Sequence, residues 1–528
     1  MNKRARTLAF LLGAFLLCGC TSVPDRTGGS PQQPAETAES EEVKIYEETQ
    51  TKRYPVDKAE FFCKLNAEGG VFTGEYRTDG EYYDGDGYVI LDEGMTLSHI
   101  VEAEYSQHYR IILGAQSYKG AVIRLSTASD TVGYYYVPAS ETPEFGQLAV
   151  DCVYLPASSA KLNFECVSGS AALDYILVEN ADEVSPECYR TGTAAAAPNS
   201  SIAAIGTMKY LSDGYGKRII TAQNVTPATN AEIDAIYEQT GRYPAMRCGE
   251  LALVTDKDSA ERSEKELELA LDWGRNGGLV SYTWHWYSPD IAKTVYNNET
   301  NFELSEALNG ADLAQAALSD SEELKTQREN GLISAQLVDL INDIDLAAEA
   351  LKPFCDEDIP VIWQPIPDGD DGLYWWGGGA ESYKALWSLL FERMCSYHGL
   401  GNLVWVWNGS SADFRPNDRQ FDIIGQTICE GSSASFAGRF EALATMPDRT
   451  VKPLAVTACD RLPKYDVLLR DNALWLWTAV GSGDVIINTD GTLSERLTDR
   501  QSLYDEYNSP QCITLDELPD LSEYALGE

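Results

Sequence analysis

Val361-Ile362-Trp363-Gln364-Pro365-Ile366-Pro367-Asp368-Gly369-Asp370-Asp371-Gly372-Leu373-Tyr374-Trp375-Trp376 is the stretch on which the reading of this chain turns. The run Pro360 to Ile366 is short, apolar and followed by turn formers, which predicts a buried strand emptying into a loop rich in Asp and Gly. Two tryptophans close that loop. Indole faces stack on the apolar C–H faces of pyranose rings, and carboxylates hydrogen-bond hydroxyls or move protons, so a loop of this composition suits a sugar. Paired core aromatics would give the same pattern.

On either side of this strand, amphipathic helical segments alternate with short apolar runs. Before it, Leu337, Leu340, Ile341, Ile344, Ala348 and Leu351 recur at helical intervals and give one buried face. After it come a helix over 381–397 and the strand Leu403-Val404-Trp405-Val406-Trp407-Asn408. Further strands are predicted at 422–425, 453–457 and 473–477, and earlier ones at 218–221, 245–251 and 278–284. Eight strands separated by helices predict an α/β fold, a (β/α)8 TIM barrel over 200–515, whose site lies where the strands end. A doubly wound sheet is the alternative, but it usually opens with a Gly-rich phosphate turn that this chain lacks. On a barrel strand alternate residues pack into the core, which makes Trp405 and Trp407 structural.

The preceding part has a different grammar. Over 55–182, runs such as Tyr88-Val89-Ile90-Leu91, Tyr109-Arg110-Ile111-Ile112-Leu113 and Leu173-Asp174-Tyr175-Ile176 alternate with Gly, Asp and Ser clusters and show no helical periodicity. This predicts an all-β jelly-roll sandwich, joined to the barrel through an Ala-rich linker at 193–197. Residues 21–54 are rich in Ser, Thr, Pro, Gln and Glu and read as a flexible linker.

At the N-terminus Lys3, Arg4 and Arg6 precede an apolar run from Leu8 to Leu17 that is too short to span a bilayer. Residues 1–20 therefore read as an export signal. Its ending, Leu17-Cys18-Gly19-Cys20, resembles a bacterial lipobox, which implies lipidation of Cys20 and a lipid anchor at the extracellular face of the bacterial cell membrane. An ordinary signal peptide is the alternative.

Acidic residues number 82 against 40 basic, a net charge of −42 that would repel a phosphate backbone and argues against nucleic acid as a partner. A neutral partner stays open. Of the 12 cysteines none forms a C-x-x-C pair, so a structural zinc site is not expected. Cys152 and Cys166 lie in successive strand-like runs and admit either a cross-strand bridge or two buried thiols.

Several segments of the second part together resemble glycoside hydrolase family 26, the β-mannanases. They are Gly216 to Ile220, Ile233 to Tyr237 with Gly241 to Ala245, Gly277 to Trp286, Gly372 to Gly377, and Tyr397 to Asn408. The resemblance runs from about Ser201 to about Cys512. It implies a retaining barrel enzyme, needing no cofactor, that cuts β-1,4 bonds in mannan. One glutamate ends the fourth strand as acid/base and one ends the seventh as nucleophile, their carboxyls about 5–5.5 Å apart.

This sequence departs from the family at both places. Where the family reads Arg-Pro-Leu-His-Glu, this chain reads Gln364-Pro365-Ile366-Pro367-Asp368, so Asp368 occupies the acid/base position. Where it reads Ala-Leu-Ser/Thr-Glu, this chain reads Ala455-Val456-Thr457-Ala458, so Ala458 occupies the nucleophile position. The family's sixth-strand tyrosine falls on Cys429. An Asp for Glu exchange draws a proton donor back by roughly 1 Å, and alanine forms no glycosyl ester, so the expectation is a mannan-binding pseudoenzyme or a severely impaired hydrolase. An active glycosidase with relocated carboxylates, drawn from Asp368, Asp370, Asp371, Glu430 and Asp460, is the alternative. Trp284, His285, Trp286, Trp375 and Trp376 keep the family's residue types and are expected to bind substrate, β-mannan or a related neutral polysaccharide.

The first part is similar to family 35 carbohydrate-binding modules. That resemblance implies a structural calcium on Glu68 and Asp174.

Overall fold

The computed structural model describes residues 61–80, 82–128, 131–181, 184–256, 259–429, 434–446 and 451–526. The expected signal, the linker, Cys18, Cys20 and Glu430 lie outside the described residues, as do the side chains of Asp151 and Cys152.

The N-terminal part is antiparallel β structure organised on one long strand, Ser158–Asn180. Its first half pairs with Thr96–Ala103 and Ala121–Ser126, and its second half with Phe62–Asn66, Tyr88–Asp92 and Gln107–Gln116. The strand passes between these two sets of partners at Gly169 (φ 80°), where a β-carbon would come within 2.4 Å of the Gly120 carbonyl. Only glycine fits that bend. The apolar faces enclose one core that includes Val89, Leu97, Tyr109, Ile111, Leu162, Phe164 and Ile176. Cys166 is a free buried thiol in that core.

The C-terminal part is a closed parallel barrel. Its strands are β1 (Ile219–Asn224), β2 (Met246–Glu250), β3 (Leu279–Trp284), β4 (Val361–Pro365), β5 (Leu403–Asn408), β6 (Ile423–Ile428), β7 (Leu454–Cys459) and β8 (Trp477–Val480). Each pairs in parallel with the next, and β8 pairs with β1, which pairs with β2. Every residue of β4 and β5 is buried, as expected of parallel strands covered on one side by helices and on the other by the barrel interior. Trp405 and Trp407 are fully buried.

Sandwich and barrel belong to one compact unit. His108 Nε2 of the sandwich lies 3.1 Å from Oδ1 of Asp471 in the barrel, both side chains buried. Asn472, held at φ 52°, donates from Nδ2 to the Val184 carbonyl (2.6 Å), while its own carbonyl accepts from the Tyr189 hydroxyl.

Candidate active site

The C-terminal ends of the strands gather a set of polar side chains on one face. Glu250 ends β2, and His285 follows the last residue of β3. Oε2 of Glu250 lies 2.6 Å from His285 Nδ1, and Oε1 accepts the main-chain N–H groups of His285 (3.1 Å) and Ala252 (2.9 Å). Burial disfavours the imidazolium, but the Glu250 carboxylate more than offsets this, and the histidine pKa is raised.

Asp368 sits just beyond β4 on a strained turn. Ile366 has φ 41° and Asp368 has φ 50°, a region costly for a β-branched residue. Neighbours over-determine the turn. The Tyr383 hydroxyl donates to the Ile366 carbonyl (3.0 Å), the Trp376 indole to the Pro367 carbonyl (2.8 Å), and the Asp368 N–H to the Asn408 carbonyl (2.9 Å). Strain held in place this way is characteristic of functional sites.

Oδ2 of Asp368 accepts from the Thr427 hydroxyl at 2.8 Å, Asn408 Nδ2 donates to that hydroxyl at 3.2 Å, and Thr457 donates to Asn408 Oδ1 at 3.2 Å. Thr427 is the register partner of Ala458 across β6 and β7. The methyl group of Ala458 therefore stands on the residue beside the one that holds the Asp368 carboxyl. Burial, reinforced by the charge of Asp371, pushes the Asp368 carboxyl up to about 7, against the pull of the Thr427 hydrogen bond and of His285. Asp371 rises to about 6 through burial and its neighbour Asp370. Asp370 is occupied structurally, its Oδ2 accepting from Ser410 N, Ser410 Oγ and Ser411 N at 2.7–2.8 Å.

A folded-state value above the ordinary 3.8 of an aspartate means that the folded chain holds this proton longer than the unfolded one. Its contribution to stability is complete below about pH 4 and is lost as pH rises through about 7. Asp368→Asn, which keeps an acceptor for Thr427 and cannot ionise, should flatten that part of the pH–stability profile. It should be more stable than the parent at pH 8 by on the order of 1 kcal/mol. Thermal unfolding across pH reads this directly, and parallel profiles for the two chains would contradict it.

The four tryptophans expected to bind substrate pack inward. Trp284, Trp286 and Trp376 are 0 % exposed and Trp375 is 2 % exposed. Trp284 and Trp286 stack on each other (centroids 4.3 Å apart), Trp376 stacks under Tyr374 (4.6 Å), and the indoles of Trp286 and Trp375 donate to Asp343 and to the Trp286 carbonyl. Their faces are spent on one another. They form a packed floor under the mouth, while His285 stays half-buried at the mouth itself.

Glu250, Asn408 and Thr427 were not singled out by the sequence reading. A signal did exist for Glu250, because a carboxylate closing the buried strand Met246–Glu250 needs a partner. Asp460 follows the last residue of β7. Cys429 follows β6, and its neighbour Cys459 is a buried free thiol.

In the sandwich, Glu68 Oε1 accepts the Asp86 N–H (2.9 Å), and both oxygens of Asp174 accept the Asp84 N–H (2.9 and 3.1 Å). Burial pushes the Asp174 carboxyl up to about 6. The two expected calcium ligands thus tie down one loop. No cluster of three or more His, Cys, Asp or Glu side chains placed to hold a metal occurs among the described residues.

Residues 196–490 match the sequence profile of glycosyl hydrolase family 26. The chain belongs to that family. A mannan endo-1,4-β-mannosidase of Thermothelomyces thermophilus is 28 % identical over 97 % of this chain and 98 % of its own length. The mannan endo-1,4-β-mannosidase B of a Piromyces species is 24 % identical over 87 % of this chain and 79 % of its own. Among solved structures, a Podospora anserina GH26-CBM35 β-(1,4)-mannanase superimposes with a TM-score of 0.56 at 26 % identity, covering 87 % of this chain and 99 % of that one. The family 26 barrel accounts for the parallel sheet, and the antiparallel domain before it fits a carbohydrate-binding module.

Proposed function

We propose that this family 26 barrel binds β-mannan or a related neutral polysaccharide at the mouth bounded by Glu250, His285 and Asp368, and hydrolyses it weakly or not at all. The observation that carries the proposal is the residue at 458. A retaining glycosidase forms its covalent intermediate on a carboxylate, and the end of β7 offers a methyl group there, in register with the threonine that holds Asp368. What supports binding is the charge-assisted pair Glu250–His285, held at 2.6 Å at the mouth and suited to sugar hydroxyls.

The second reading, hydrolysis through relocated carboxylates, is favoured by the Asp368 carboxyl itself. A group that titrates near 7 is a competent proton donor. One pair of assays separates the readings. Incubated with galactomannan, the full chain should release no reducing ends above background, yet galactomannan should retard it in affinity electrophoresis. His285→Ala should weaken that retardation about tenfold, the worth of one charge-assisted hydrogen bond. Turnover that disappears in Asp368→Ala would instead establish a working enzyme.

The same proposal puts the protein at the cell surface. Lys3, Arg4 and Arg6, the apolar run and Leu17-Cys18-Gly19-Cys20 support export and a lipid on Cys20, which mass measurement of the mature N-terminus tests. The sandwich carries a structural calcium in this proposal. Its support is Oε2 of Glu68, buried and without a hydrogen-bond partner, and such sites draw much of their remaining oxygen from main chain and water. Chelation with EDTA should then lower the unfolding temperature of the sandwich by several degrees, and added calcium should restore it. An unchanged unfolding temperature rejects the ion.

A further inference from the structure

The loops that follow β3 and β4 are joined at the barrel mouth. Tyr296 and Tyr374 form an antiparallel bridge, the Trp375 N–H donates to the Val295 carbonyl (3.0 Å), and the Asn297 N–H donates to the Leu373 carbonyl (3.0 Å). The side-chain amide of Asn297 donates to the Gly372 carbonyl as well. The first loop also closes on itself, with the Ser288 N–H donating to the Thr294 carbonyl at 2.8 Å. Both main-chain groups of Tyr296 are engaged, its N–H donating to the Thr294 hydroxyl (3.2 Å) and its carbonyl accepting the Glu299 N–H (3.2 Å). Its ring therefore stands on a fixed main chain.

The side chains continue the ladder as a pile of rings. Trp376 and Tyr374 stack with centroids 4.6 Å apart and planes 12° from parallel, and Tyr374 and Tyr296 follow at 6.2 Å and 15°. Exposure rises outward along the pile, from 0 % at Trp376 and 4 % at Tyr374 to the half-buried Tyr296. Tyr296 is thus the first ring of the pile with open surface. The pile also reaches the polar set of the mouth, because the Tyr374 ring lies 5.6 Å from that of His285. Tyr287, half-buried on the same loop, borders the same mouth: burial, and then the Glu250 carboxylate, push its hydroxyl up.

An aromatic ring that is already held loses little freedom on binding, and its face suits the C–H surface of a pyranose. The charge around it is negative, with Glu250, Asp368 and Asp371 at the mouth and the exposed Glu299 three residues along the loop. That field disfavours a carboxylated or sulfated sugar and leaves a neutral one unaffected. Tyr374 meets both His285 and Tyr296, so a saccharide that touches the outer two is an oligomer and not a single sugar.

We infer that Tyr296 is the stacking face that the buried tryptophans do not provide, and that it holds a further pyranose of a neutral oligosaccharide whose neighbouring unit lies on Glu250 and His285. This assignment rests on the reading of the mouth as a polysaccharide site, and adds to it the residue that selects for chain length and for absence of charge.

The test is calorimetric titration of the full chain with mannobiose and mannohexaose. Mannohexaose should bind the parent at least about fivefold more tightly than mannobiose, the worth of one aromatic stacking contact. Tyr296→Ala should abolish that advantage and leave mannobiose binding as it was, whereas Tyr296→Phe and Tyr296→Trp, which keep a ring face, should retain it. An equal loss for both sugars in Tyr296→Ala would mean that the ring only holds the loop, and unchanged mannohexaose binding would mean that it does nothing at the site; either overturns the inference while the mouth remains a mannan site. A parent chain that binds neither sugar nor galactomannan overturns the reading of the mouth and this inference with it. Displacement of mannohexaose by equimolar trigalacturonate overturns the restriction to neutral sugars.

Discussion

Asp368→Glu combined with Ala458→Glu is expected to release reducing ends from galactomannan at a rate at least about 10³-fold above the parent chain. Replacing a nucleophile that works as one unit with its partners costs about 10⁶-fold in well-studied hydrolases, so returning it to a mouth that still fits the substrate should recover a large part of that. The scaffold is prepared for both side chains. Position 458 faces Thr427 in register, and position 368 is anchored through its own N–H, so a glutamate there extends from a held main chain. The burial that pushes the Asp368 carboxyl up to about 7 would keep a glutamate at that place protonated near neutrality, as a general acid requires. Ala458→Glu alone should be about 10²-fold slower than the pair, because the shorter acid stands back from the leaving oxygen. A double variant that still binds galactomannan and cuts nothing would show that 368 and 458 are not the acid and nucleophile places.

The second large effect is on stability. Arg247 in β2 is fully buried, and its two terminal nitrogens meet both oxygens of Glu266, on helix Ala260–Arg275, at 2.6 and 2.9 Å. Asn230 Oδ1 takes the Nε–H (2.9 Å), and Glu266 also accepts the N–H of Ala228, a residue held at φ 68°. Arg247→Met would leave a buried carboxylate without its cation, at a cost of about 3–5 kcal/mol. Urea unfolding measures it. Arg247→Met with Glu266→Leu should recover most of the loss, since what costs is the unpaired charge and not the missing bridge. Arg275→Met, which breaks the exposed pair with Glu357, should leave the midpoint where it is. A single variant no less stable than Arg275→Met would contradict this account.

Much of the architecture could be read from the chain because it is written in local terms. An apolar run such as Val361 to Pro365 has no choice but to be buried, and the helical spacing of Leu337, Leu340, Ile341 and Ile344 turns one face inward whatever it meets. Their alternation over some 300 residues leaves few closed parallel sheets to choose from. The identities at 368 and 458 were equally plain, because a methyl group is a methyl group in any fold.

The roles of the tryptophans were not legible. Trp284, Trp286, Trp375 and Trp376 have the composition of a sugar platform, and whether an indole lies on top of a mouth or beneath it depends on segments that arrive from elsewhere. Here Tyr374 covers Trp376 and Phe302 packs edge-on against Trp375. The Glu250–His285 pair joins residues 35 apart and the Asp368–Thr427 bond residues 59 apart.

By itself, then, the sequence determined the two domain types, the family, and the absence of a carboxylate at 458. It could do so because periodicity and side-chain chemistry are properties of neighbours along the chain. Only the tertiary structure decided which aromatic rings are buried and which carboxyl is driven toward neutrality. Burial, hydrogen bonding and local potential are set by whatever packs alongside, and the closure of the barrel and its docking on the sandwich choose those neighbours.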